Sequence, residues 1–205
     1  MKKLLLIIAI LFAPYYVIAQ YKDTSLYLKK IIETHPKKEI RQDLHAMIDT
    51  GTVFLNFESD IAAGGLATVF VIDINDQPKI VLNIDSNILM DPHISNSYRQ
   101  LVLFHEFQHI KQILQKKYPI DSFRIKEGKN PIVSPSEIAN LYHAELEAYT
   151  AECSFAKEIK VTGQIEICSV YSKKGITGLK SYLKKFLQET YKSSPKALKI
   201  LKNLK

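Results

Sequence analysis

The segment that most constrains this chain covers residues 101–110, because it contains the pattern His105-Glu106-Phe107-Gln108-His109. On an α-helix, two histidines four residues apart share one face and lie about one turn, or ~6 Å, from each other, so both imidazoles reach one metal ion. Glu106 lies about 100° round the helix from His105, where its carboxylate contacts a metal-bound water without being a ligand. Two ligands and a general base in this order are typical of a zinc hydrolase.

The flanking residues favour a metal site over two solvated or core histidines. Apolar residues at helical spacing predict a face of this helix that packs on the core: Leu103, Phe107, Ile110 and Leu114. The histidines lie on the other side, which also carries four residues without formal charge: Tyr98, Leu101, Val102 and Gln112. The histidines therefore face a second, largely uncharged surface.

The N-terminus predicts export. Two lysines precede a ten-residue apolar run that ends at Ala13, and Val17-Ile18-Ala19 supplies permissive residues before a cut. A membrane span needs ~20 apolar residues, so we expect a cleaved secretory signal peptide over residues 1–19 and no stable membrane anchor afterwards. Residues 20–205 are expected to form a single domain in the periplasm or outside the cell.

The segments before this helix predict an α+β fold. Apolar spacing over residues 21–48 indicates two helices divided by Pro36, and residues 52–57, 67–74 and 79–85 have the composition of strands. We expect these strands to form a small antiparallel sheet packed on a helical core. Residues 80–84 are then either an exposed edge that accepts a peptide by strand addition or part of a purely structural hairpin.

A second long helix offers the third ligand. Ser134-Pro135-Ser136-Glu137 is a strong helix start, and the helix is expected to reach about Ile159. Glu145 and Glu152 fall in its apolar stripe, where a carboxylate is costly unless a cation or hydrogen-bond donors compensate it. We expect Glu145 to bind the metal and Glu152, about 10 Å further along, to accept a hydrogen bond from a histidine or to pair with a cation. The alternative for both is an ordinary ion pair, and Glu147 lies on the polar face.

His105-Glu106-Phe107-Gln108-His109 followed by Glu145-Leu146-Glu147-Ala148-Tyr149 resembles the gluzincin class of zinc metallopeptidases in a minimal form. The resemblance implies a zincin-like core in which an antiparallel sheet, an active-site helix and a ligand helix follow one another. It also implies a glutamate as third ligand, which matches Glu145. Tyr149 departs from the pattern, since several members have there an acid that orients a histidine.

We therefore expect one Zn²⁺ bound by His105, His109 and Glu145, and a peptide or protein substrate that is hydrolysed with Glu106 as general base. Tyr149 and Tyr142 are candidates to stabilise the oxyanion. Two alternatives remain: a non-catalytic exported binding protein, and a zinc amidase that acts on cell-wall peptides.

Net charge and cysteine content constrain the function less than the histidine motif does. The net charge is +7, but an exported chain meets little nucleic acid and no aromatic-basic recognition motif appears, so nucleic acid is not expected as a partner. Cys153 and Cys168 are the only cysteines. They form either one disulfide or two buried thiols.

Overall fold

The computed structural model has an α+β fold, as predicted, and it describes residues 23–59, 61, 65–124, 134–190 and 195–204. The predicted signal peptide over residues 1–19 lies outside these ranges. No helix in the described ranges is long and apolar enough to cross a membrane.

Helices make up most of the described residues. In chain order they are α1 (residues 23–33), a π-helical turn (Ile40–Leu44) that leads into α2 (His45–Asp49), α3 (Ser86–Met90), α4 (Asn96–Leu114), a 3-10 turn (Ile120–Phe123), α5 (Pro135–Glu158), a 3-10 turn (Thr162–Gln164), α6 (Glu166–Thr190) and α7 (Pro195–Asn203). Inside α6 the backbone bends at Gly175, whose φ of 61° favours glycine.

The sheet has three strands: β1 (Val53–Glu58), β2 (Ala67–Ile74) and β3 (Gln77–Asp85). The predicted hairpin is confirmed for β2 and β3, which are antiparallel. Asn75 and Asp76 join them with φ values of 51° and 59°. Two residues with positive φ make the tight turn that suits the twist of a hairpin.

The prediction of an antiparallel sheet is wrong, and of the two alternatives for residues 80–84 the exposed edge is excluded. The strand order is β1-β3-β2, and β1 runs parallel to β3, so the sheet is mixed and not antiparallel. Residues 80–84 are not an edge, because β3 pairs with β1 on one side and with β2 on the other. The physical reason lies in β3 itself: its residues from Ile80 onward are buried, and a strand with both faces covered belongs in the centre of a sheet.

Helices α4 and α5 pack against each other, and α4 also packs on β2. Helix α5 begins where the sequence predicts, because Ser134 and Glu137 form a capping box. At the start of α4 the Ser95 side chain accepts from the Tyr98 amide. The core face of α4 is confirmed for Leu103, Phe107 and Ile110, but Leu114 is 43% exposed because the helix ends there. A disulfide joins Cys153 on α5 to Cys168 on α6.

Candidate metal centre

The facing sides of α4 and α5 bring together two histidines and two glutamates. His105 Nε2 lies 3.4 Å from one carboxylate oxygen of Glu145, and His109 Nε2 lies 3.5 Å from the other. On its opposite side His105 places Nδ1 2.9 Å from Glu152 Oε2. The sequence predicted both contacts from the helix faces, Glu145 beside the histidine pair and Glu152 as a hydrogen-bond acceptor for a histidine.

Hydrogen-bond partners determine which nitrogen of each histidine carries the proton. A carboxylate only accepts, so His105 donates from Nδ1 to Glu152. His109 Nδ1 lies 2.9 Å from Gln112 Oε1, which is likewise an acceptor. In the neutral form of both rings the Nε2 atoms therefore carry lone pairs, and they point at each other and at Glu145.

These lone pairs meet at short range, since the two Nε2 atoms are only 3.1 Å apart. Two acceptors and a carboxylate at this distance need a positive charge between them, which is either a proton or a metal ion. Ligands bound to zinc at about 2.0–2.1 Å with tetrahedral angles lie roughly 3.3 Å from one another. The Nε2–Nε2 distance of 3.1 Å and the contacts of 3.4 and 3.5 Å to the two different oxygens of Glu145 are of this size, so His105, His109 and Glu145 could hold one metal ion.

The charges of the site also favour a cation. Glu106 and Glu152 are only 7% and 2% exposed, and Glu145 is 20% exposed at its side chain. Within the described ranges, no lysine or arginine forms an ion pair with any of the three. Buried carboxylates without a cation are costly, so the residues present fit a divalent ion.

The pKa values of the metal-free chain reflect the same excess of buried carboxylates. Burial alone would lower the pKa of His105, but hydrogen bonds to Glu145 and Glu152 raise that pKa well above its usual range. The pKa of His109 is raised against burial by the charge of Glu145. Burial would raise the pKa of Glu145, and the two histidines lower it instead. The cluster thus holds positive charge strongly.

Glu106 lines a cavity of about 140 Å³ beside His105. The walls come from α4, from the start of β2 and from α5, including Ala67, Val102 and Tyr149. Burial raises the pKa of Glu106 to about 7 in the metal-free chain. The Tyr149 ring lies 4.3 Å from the His105 ring, between centroids, so one of the two predicted tyrosines is at the site.

Tyr142, the other predicted tyrosine, does not line the cavity beside His105. Tyr142 is fully buried, and its hydroxyl has no hydrogen-bond partner among the described residues. Its ring contacts His143, and no ring contact with His105 or His109 is found among the described residues. The structure therefore gives Tyr142 no described contact with the cluster, and its candidacy for the oxyanion has no support.

One residue of the site was not predicted. Gln112 was placed on the histidine face of α4 without a role, and its side chain contacts His109, Ala144 and Glu147. Its position three residues after His109 is the one available signal, because residues three apart on a helix are neighbours. Glu147, predicted only as a polar-face acid, joins the site through this contact.

Comparison of the chain with protein-family models, with curated proteins and with solved structures found no match.

Proposed function

We propose that this chain is an exported zinc metallopeptidase of the gluzincin kind, with His105, His109 and Glu145 as ligands. The observation that carries the proposal is the close approach of the two Nε2 atoms, 3.1 Å apart, to the carboxylate of Glu145, whose oxygens lie 3.4 Å from His105 Nε2 and 3.5 Å from His109 Nε2. A buried group of two imidazoles and one carboxylate is the ligand set of several catalytic zinc sites, which leave the fourth position to water.

When bound there, zinc supplies a Lewis acid that lowers the pKa of a water ligand to about 7. Glu106 is the group that takes the proton of the attacking water and returns it to the leaving amine. Its carboxylate lines the cavity beside His105, and it supplies none of the three proposed ligand atoms. A nearby cation lowers the pKa of Glu106 from its raised value of about 7, which keeps Glu106 ionised and able to accept the proton.

Tyr149 is the proposed donor to the oxyanion of the substrate. Burial and the neighbouring carboxylate of Glu145 raise the pKa of its hydroxyl well above the usual range, so the hydroxyl keeps its proton at neutral pH and donates a hydrogen bond. Tyr149 lines the same cavity as Glu106. An acid that donates without ionising suits the charge that develops on a peptide carbonyl.

The cavity begins where β2 begins, at Gly65, Leu66 and Ala67. In the described ranges β2 lies at one edge of the sheet and is bridged on its outer side at Val71 by Arg124. We therefore propose that an extended peptide next to the cavity pairs with the start of β2, before that bridge. This edge replaces the one predicted at residues 80–84. We propose a peptide or protein segment as the substrate.

Hydrolysis of a generic unfolded protein such as casein tests the proposal. Glu106→Gln is expected to lower the rate by about 10²- to 10⁴-fold, because the amide cannot accept the proton, while one zinc ion per chain remains bound. The control is Glu189→Gln, since this exposed residue pairs only with Lys185 in the described ranges and its loss should leave the rate unchanged.

Three results would contradict the proposal in different ways. Zinc without hydrolysis of any peptide indicates a binding protein, and hydrolysis restricted to cell-wall peptides indicates the amidase. A Glu106→Gln protein with the wild-type rate refutes the assignment of the base. A chelator control separates metal-dependent hydrolysis from a contaminating protease.

A further inference from the structure

The two metal-binding histidines are held by different groups. His105 Nδ1 meets the carboxylate of Glu152, whereas His109 Nδ1 meets the neutral amide of Gln112. Gln112 is only 5% exposed. A buried amide next to a ligand must have its donors and its acceptor satisfied, so the remaining contacts of Gln112 decide what it does to His109.

Those contacts fix the orientation of the Gln112 amide. Its Nε2 atom donates to the backbone carbonyl of Ala144 at 3.1 Å and to Glu147 Oε2 at 3.2 Å. Both partners are acceptors, so the nitrogen must face them and Oε1 must face His109. The reversed amide would point an N–H at the Nδ1–H of His109 and an oxygen at two other oxygens.

Glu147 is in turn held from the solvent side. Its second oxygen lies 2.9 Å from Lys117 Nζ, and its side chain is 42% exposed. A chain of contacts thus runs from Lys117 through Glu147 and Gln112 to His109. Gln112, near the end of α4, thereby contacts α5 on both sides of Glu145. Ala144 lies one residue before Glu145, and Glu147 lies two residues after it.

We propose that Gln112 and Glu147 are positioning residues, which hold His109 with Nδ1 protonated and Nε2 directed at the metal. This inference rests on the proposed function only for the presence of a metal at His105, His109 and Glu145. Glu147 polarises the Gln112 amide, and the amide oxygen then accepts more strongly from His109. Groups that hold a metal-binding histidine in this way are worth about 10- to 100-fold in metal affinity.

The first test is the affinity of the full chain for Zn²⁺ and Co²⁺, measured by competition with a chromophoric chelator. Gln112→Leu keeps the approximate size of the side chain and removes its hydrogen bonds, so affinity is expected to fall about 10- to 100-fold. Gln108→Leu is the matched control. Gln108 lies on the same helix, and in the part of the chain that the structure describes its side chain donates only to the Phe104 carbonyl. Its replacement should leave affinity within about twofold of the wild type.

The second test exchanges the amide and the carboxylate. Gln112→Glu alone places two carboxylates at the present 3.2 Å contact and should lower affinity. The double variant Gln112→Glu/Glu147→Gln restores one donor and one acceptor at that contact and places a carboxylate directly on His109. We expect it to bind the metal more tightly than Gln112→Glu alone but no more tightly than about the wild type, because the Ala144 carbonyl, which now accepts from Gln112 Nε2 at 3.1 Å, then faces a carboxylate oxygen.

The visible spectrum of bound Co²⁺ supplies a readout that folding alone does not change. Gln112→Leu should shift its absorption bands, and Gln108→Leu should not. Thermal unfolding without metal checks that each variant folds. If Gln112→Leu folds poorly, the milder Glu147→Gln still tests the chain of contacts, since it should weaken affinity by at most about tenfold and add nothing in the Gln112→Leu background.

The outcomes are distinct. Wild-type affinity and an unchanged spectrum in Gln112→Leu overturn this inference and leave the proposed function intact. Failure of the double variant to exceed Gln112→Glu also overturns it. A wild-type chain that binds neither ion overturns both the inference and the proposed function.

Discussion

His35 and the pair of His105 and His109 are buried beside α4 and α5, and the single histidine and the pair differ in their partners. His35 is fully buried, packs against Phe104 and Phe155, and has its Nε2 2.9 Å from the Gln100 carbonyl. Its Nδ1 accepts from the Lys37 amide at 3.1 Å. Both nitrogens of His35 are therefore satisfied by backbone, and the ring is neutral.

In the candidate metal centre the ring nitrogens of His105 and His109 contact side chains instead of backbone. Side chains take up the Nδ1 atoms of His105 and His109, and the Nε2 atoms are left facing each other and Glu145. Burial is nearly the same in both places, at 0% exposure for His35 and 6–7% for the pair. The comparison shows that the side-chain partners of the ring nitrogens, and not burial, distinguish the two candidate ligands from His35.

The largest expected effect is on zinc affinity, which should fall when a proposed ligand is replaced and stay unchanged when His35 is replaced. A structural four-ligand zinc site has an apparent binding free energy of about 10–16 kcal/mol, so one ligand is worth roughly 10²- to 10³-fold in affinity. Glu145→Gln is expected to lose that much in a chelator competition. His35→Gln, the control, should bind zinc as the wild type does, and equal affinities in all three proteins would contradict the distinction.

Zinc should also raise the thermal stability of the protein, and this rise should require Glu145 but not His35. At a zinc concentration 100-fold above Kd, binding stabilises the folded state by about 2.7 kcal/mol, which raises Tm by roughly 5–10 °C for a domain of this size. We expect this rise for the wild type and for His35→Gln in calorimetry. Glu145→Gln should show little or none at the same concentration, and a full rise in it would argue that the ion binds elsewhere.

Local signals explain why much of the site could be predicted from the sequence. Ser95 and the capping box at Ser134 fix where α4 and α5 begin, and helical spacing then fixes which side chains share a face. The positions of His105, His109, Glu145 and Glu152 follow from those two facts. Each depends on residues within a few turns of the same helix.

The missed features depend on residues that are distant in the sequence. Gln112 acquires its partners from α5, 32 and 35 positions away, and no periodicity within α4 indicates them. The parallel pairing of β1 with β3 is also non-local. A local signal for a central β3 did exist in the uninterrupted apolar run of Ile80, Val81 and Leu82.

The neutral state of His35 in the folded chain should make the free energy of unfolding depend on pH. Burial, the largest influence, lowers its pKa below the ordinary 6.5, although the backbone contacts of Gln100 and Lys37 act in the opposite direction. Between that lowered pKa and 6.5 the unfolded chain binds a proton at His35 and the folded chain does not. The contribution of His35 to stability is therefore complete above about pH 6.5 and is lost as the pH falls.

Urea unfolding of the wild type and of His35→Gln, both with chelator, measures this contribution. At pH 7.5 the wild type is expected to be more stable by about 1–2 kcal/mol, because the glutamine leaves a buried backbone group unsatisfied. The difference should narrow at pH 5.5, where the unfolded wild type gains its proton. The histidines of the metal centre titrate in both proteins and cancel, so a difference that widens at low pH would mean that His35 is charged in the folded state and that its contrast with the metal centre is wrong.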